Sequence, residues 1–167
     1  MPLMAGNPDF SDAVVSLFGA AELTIPGQPG FAFGGSQPMA VYCDLEVEST
    51  DNDWVVAEQP YMLNFGLLGG NRMYAALAQS GKNIQGTAPI VAGEKYSVVL
   101  NYDGNMLSIY VDGVLDAQGA AWNSGNNNDP MTFGVNATTR YPEQGVAISR
   151  LGMWKRALTP AEIGVSS

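Results

Sequence analysis

The chain has no histidine, a single cysteine and few cations. Without histidine there is no Ser-His triad, and the commonest general base and the commonest zinc ligand are both missing. A lone Cys43 excludes an internal disulfide, so a core must hold the fold. Seven Lys and Arg stand against 16 Asp and Glu, a net charge of −9. That balance repels phosphate and excludes nucleic acid and anionic membranes as natural partners. No segment approaches the roughly 20 apolar residues of a membrane helix. The first dozen residues carry neither a basic region nor an apolar run of signal-peptide length, so synthesis in the cytoplasm without a signal peptide is expected. No phosphate-binding glycine motif and no metalloprotease motif is present.

What is there fits one domain over residues 1–167. At 167 residues and 46% apolar content the chain can bury a full core, roughly 68–70% of its unfolded surface. Gly 20 and Pro 10 imply many turns and few long helices. Val41, Cys43, Leu45 and Val47 alternate with Tyr42, Asp44, Glu46 and Glu48, the period of a strand with one face on a core. Asp51-Asn52-Asp53 ends it, and Trp54 to Ala57 resumes a strand. Apolar runs at 61–65 and 72–78 flank Gly69-Gly70-Asn71, a hairpin separator. Tyr96, Val98, Leu100 and Tyr102 share one strand face, Leu107, Ile109 and Val111 the next. Asp103-Gly104 and Asp112-Gly113 supply tight turns with positive φ. Residues 119–130 form a long polar loop, 131–135 a short strand and 146–154 a last long strand. Thr159-Pro160-Ala161-Glu162 is a capping box with Pro at the first helical position, starting a turn that Gly164 ends. The expected architecture is all-β, a two-sheet antiparallel β-sandwich with one short C-terminal helical turn.

Residues 94–114, Glu-Lys-Tyr-Ser-Val-Val-Leu-Asn-Tyr-Asp-Gly-Asn-Met-Leu-Ser-Ile-Tyr-Val-Asp-Gly-Val, resemble the central hairpin of laminin-G-like, concanavalin-A-like jelly rolls. Residues 148–163, from Ile148-Ser149-Arg150-Leu151 to Ala161-Glu162-Ile163, resemble their closing strand. Ser97 stands where that family often has His, and Ser149 and Arg150 stand where it often has acidic residues. The resemblance implies a jelly roll over about residues 10–165. It also implies a binding module for glycans or proteins, often calcium-assisted, with some glycosidase relatives.

The candidate contacts to a ligand or partner are the loop aromatics Trp122 and Tyr141, with the amides of Asn126, Asn127 and Asn128. Large rings in polar loops are common platforms for sugars and proteins. Asp51, Asp53 and Asp129 are the candidate metal ligands, because calcium takes 6–8 oxygens. No cofactor is required, and calcium is the one ion the loops suit. Trp54, Trp154 and Cys43 read as core residues. Asn136-Ala137-Thr138 fits a glycosylation sequon, read as a chance match. Asp44, Glu46 and Glu48 share a strand face, as the catalytic carboxylates of glucanases with this fold do. A solvated strand face whose charges discourage edge pairing is the favoured reading, since the order is Asp-x-Glu-x-Glu where those glucanases usually have Glu-x-Asp-x-Glu.

Three functions follow. The first is a non-catalytic structural or adhesive module in a larger assembly, such as a bacteriophage capsid decoration or tail protein, with protein subunits or surface glycans as partners. It would work on a virion or at an extracellular surface. The alternative is a glycan-binding lectin domain, and the third is a glycosidase built on Asp44, Glu46 and Glu48.

Overall fold

Period-two alternation along the chain becomes eleven strands and one helix in the computed structural model, which describes residues 23–25, 37–51, 53–60, 62–68, 71–77, 82–121, 129–134 and 145–165. The strands are β1 (Leu23–Ile25), β2 (Met39–Val47), β3 (Trp54–Gln59), β4 (Leu63–Leu67), β5 (Met73–Leu77), β6 (Lys82–Gln85), β7 (Lys95–Tyr102), β8 (Met106–Val111), β9 (Val114–Ala120), β10 (Met131–Phe133) and β11 (Val146–Trp154). Helix α1 (Pro160–Val165) follows. A six-stranded sheet runs β1-β10-β3-β4-β5-β6, and a five-stranded sheet runs β11-β2-β7-β8-β9. Every pairing is antiparallel. The expected sandwich and its closing helical turn are therefore both present.

The core lies between the sheets. Val41, Cys43 and Leu45 of β2, Val98, Leu100 and Tyr102 of β7, and Leu107 and Ile109 of β8 face Phe65, Met73, Ala75 and Phe133 of the other sheet. Each large apolar side chain buried there contributes about 1.5–3 kcal/mol before chain entropy is subtracted. Trp54 packs in this core, and its indole Nε1–H donates to the Ser49 carbonyl at 3.2 Å. At the paired sheet edges, the Asp116 carboxylate accepts the N–H groups of Thr87 (2.9 Å) and Ala88 (2.8 Å), tying the segment after β6 to β9.

The short edge strands β1 and β6 were not expected. β1 has three residues, and β6 carries one apolar residue, Ile84. Neither is long enough for alternation to show, and each is defined by its partner strand instead. Helix α1 also runs one residue past Gly164, to Val165.

The turns act as the sequence implies, with one correction. Both Asp112 (φ 50°) and Gly113 (φ 77°) take positive φ between β8 and β9. Between β7 and β8 only Gly104 does, at φ 102°. Asp103 works through its side chain: Oδ1 accepts the N–H groups of Asn105 (2.8 Å) and Met106 (2.7 Å). A side chain that cannot adopt positive φ strains this turn.

The five-stranded sheet is covered on its outer face as well. Ala40, Tyr42, Val99, Trp154, Leu158 and Ile163 form a second, smaller apolar cluster there, with Tyr110 packed beside it. The chain after β11 folds back to make it. Asn101 fastens this strap by donating to the Leu158 carbonyl (3.1 Å) and accepting the Leu158 N–H (2.8 Å). The capping box forms as read: Thr159 N–H donates to Glu162 Oε2 at 2.8 Å, and Glu162 N–H donates to Thr159 Oγ1 at 3.3 Å. Glu162 also takes both Arg156 terminal nitrogens, at 3.0 and 2.7 Å.

Two outcomes are expected. Gly104→Val should destabilise the fold by about 1–3 kcal/mol, read as a lower midpoint in urea unfolding. The Arg156 hydrogen bonds hold the Glu162 carboxyl down at about 2 against an ordinary 4.5, despite opposition from burial. A lowered folded-state value gives stability that is complete above pH 4.5 and lost as pH falls through about 2. Glu162→Gln should remove that part of the acid dependence, leaving a flatter stability profile over the same window.

Candidate functional site

Outward from the five-stranded sheet, strand register sets Arg150 opposite Asp44, and Asp44 opposite Ser97. Simple alternation would not do this. Ile148 faces the core, so Arg150 would face it too, but the pairing of β11 with β2 shifts between Ile148 and Arg150. A bulge adds one residue and turns the next side chain to the other face. Arg150 is thereby expelled from the core, while Leu151 and Met153 return to it.

The four side chains then meet. Arg150 Nε lies 2.7 Å from Asp44 Oδ2. Arg150 Nη2 donates to the Tyr42 hydroxyl, which in turn donates to Asp44 Oδ1. Ser97 Oγ donates to the same Oδ1 at 2.7 Å. The guanidinium sits over the Tyr42 ring, 5.0 Å from its centroid, within cation–π range. The Arg150 and Asp44 side chains each remain 25% exposed, so the network is open to a ligand. Beside it, half-buried Tyr110 stands opposite buried Val99 on one side and exposed Leu115 on the other. The face thus combines hydroxyl, carboxylate and guanidinium groups with an aromatic and an aliphatic surface.

Burial, followed by the hydrogen bond to Asp44, pushes the Tyr42 hydroxyl up to about 12. Burial works against the Arg150 charge, but the Tyr42 and Asp44 contacts outweigh it and raise its pKa. Burial raises the Cys43 thiol as well, with the Asp44 charge adding to the effect, which leaves it neutral and unreactive.

Trp122, Asn126, Asn127, Asn128, Tyr141 and the Asn136 sequon lie outside the described residues. Asp51 and Asp53 come just before the first residue of β3, and the last residue of that strand, Gln59, donates to the Asp129 carbonyl at 2.9 Å. The length of β3 therefore separates Asp51 and Asp53 from Asp129. Among the described residues no three Cys, Asp or Glu are gathered so as to hold a metal ion. Asp44 and Glu46 do share a strand face, but each pairs with its own cation: Asp44 with Arg150, and Glu46 with Lys95 at 3.2 Å. Trp54, Trp154 and Cys43 are buried as expected.

A family model described as the concanavalin A-like lectin/glucanases superfamily matches residues 23–164. The chain belongs to this family. Solved structures share the domain's fold at low identity. The binding domain of Paraclostridial Mosquitocidal Protein 1 superposes with a TM-score of 0.71 at 10% identity, over 91% of this chain and 42% of that one. Domain 4 of AbnA, a GH43 extracellular arabinanase from Geobacillus stearothermophilus, was solved with arabinotriose. It gives 0.66 at 17% identity, over 90% and 74%. The binding domain of Botulinum Neurotoxin DC, in complex with SialylT, gives 0.60 at 11%, over 78% and 35%. The domain spans less than half of the two toxin chains. No curated protein matches it in sequence.

The raised Tyr42 value makes a testable statement. The folded domain holds this proton more tightly than the unfolded chain, so the stabilisation is complete below pH 10 and lost as pH rises through about 12. Tyr42→Phe should flatten the loss of stability over that window. Absorbance at 295 nm should show one phenol fewer titrating late.

Proposed function

We propose that the domain is a glycan-binding module and that the outer face around Asp44 and Arg150 is its binding surface. One observation carries this reading: Arg150 and Asp44, each 25% exposed, joined to Ser97 and Tyr42 beside Tyr110 and Leu115. Sugar hydroxyls donate and accept at once, and they are met by planar groups such as carboxylate and guanidinium. The apolar faces of sugar rings lie on aromatic and aliphatic side chains. Two of the positions where the chain departs from the family hairpin and closing strand, Ser97 and Arg150, fall on the Asp44 carboxylate. Family membership and the fold shared with domains solved in complex with arabinotriose and SialylT support the same ligand class.

A binding role without catalysis fits the pairing of Asp44 and Glu46 with separate cations, since a hydrolase needs one carboxyl group free to give a proton. The comparisons favour this reading over a structural part of a virion, for which no feature of the fold speaks.

A broad glycan array, run with calcium and with chelator, tests the proposal. At least one glycan class should be bound, and Arg150→Ala should weaken that binding about tenfold or more, as loss of a charged hydrogen bond does. The variant's melting temperature must stay high enough for the domain to be folded during the assay. Absence of binding to every glycan in both conditions would overturn the proposal. Binding untouched by Arg150→Ala would move the site to another face.

A further inference from the structure

Cations on and beside the outer face are met by carboxylates. Lys95 pairs with Glu46, Arg156 with Glu162 and Arg150 with Asp44. Asp112 Oδ1 accepts the Ser97 N–H at 2.8 Å, which adds a second carboxylate next to the network. Among the described residues, Arg150 is the guanidinium on the open part of the face. Its Nε is taken up by Asp44, and one terminal nitrogen by Tyr42.

We infer that this face selects uncharged glycans, and that Asp44 is the residue that sets the selection by neutralising Arg150. The inference rests on the glycan-binding reading above and names the ligand class. A sialic acid, uronate or sulfated sugar would have to draw Arg150 away from Asp44. That would leave a half-buried carboxylate without its cation and bring a second anion within a few ångströms of it, both of which cost free energy. The net charge of −9 adds long-range repulsion of any anionic glycan. An uncharged sugar meets no such cost. It can donate to Asp44 while the ion pair stays intact. Specificity here comes from the unfavourable contact built against the wrong ligand.

Asp44→Asn tests the inference, because it removes the negative charge and keeps the shape of the side chain. The array carries uncharged glycans alongside sialylated, uronate and sulfated forms of the same cores. Wild type should bind the uncharged form about tenfold or more tightly than its charged counterpart, and Asp44→Asn should shrink that ratio about tenfold by gaining affinity for the charged forms. Equal or tighter wild-type binding to charged counterparts, lost in Arg150→Gln, overturns the inference and leaves the glycan-binding reading standing. Silence on the whole array overturns both. If Asp44→Asn does not fold, the wild-type salt series decides. Affinity that holds constant from about 50 to about 500 mM salt supports an uncharged ligand, and a steep loss over that range overturns it.

Discussion

Strand β2 carries apolar side chains on both faces for half its length, and a strand with that pattern must be covered twice. Val41, Cys43 and Leu45 point into the sandwich core, while Ala40 and Tyr42 point out. The outward pair cannot stay in water without giving up the burial that stabilises the sheet. The strap after β11 answers this requirement. It lays Trp154, Leu158 and Ile163 on Ala40, Tyr42 and Val99, and it is held by the Asn101–Leu158 pair of hydrogen bonds and the Arg156–Glu162 ion pair. Much else on that face depends on the cover. The strap occupies the part near Trp154, which leaves the region around Asp44, Ser97 and Arg150 as the open remainder.

The polar network lies at the border between covered and open surface. A fully solvated ion pair would be worth little, and a fully buried one would serve no ligand. At 25% exposure, Arg150 and Asp44 are desolvated enough to be held in place by Tyr42 and Ser97, yet still accessible. Rigidity of this kind lowers the entropy cost of binding a flexible sugar, because the contacting groups are positioned before the ligand arrives. The same border location raises the Tyr42 hydroxyl and makes its proton part of the network.

The central hairpin and the closing strand were legible because spacing and turn chemistry coincide in them. Leu107, Ile109 and Val111 alternate, Asp112-Gly113 allows positive φ, and the capping box marks the start of α1 to the residue. The candidate site was legible only as a discrepancy. Ser97 and Arg150 stood out against the family pattern, and Asp44 stood in an acidic alternation that read as a solvated face. Aromatic and amide side chains in loops gave the stronger signal in the sequence, because loops usually carry function on β scaffolds.

What the sequence determined by itself was local: which residues alternate, where the chain can turn, and where a helix can start. Those are properties of neighbours within a few residues, set by φ preferences and by the period of a strand. Only the tertiary structure decided which strands pair, that short β1 and β6 complete one sheet, and that the strap hides the outer side of β2. It also decided, through the bulge after Ile148, that Arg150 faces outward to Asp44 and not into the core. An extra residue in one strand has no signature in hydrophobic alternation, since it is defined by the strand opposite, and that strand lies more than a hundred residues away in the chain.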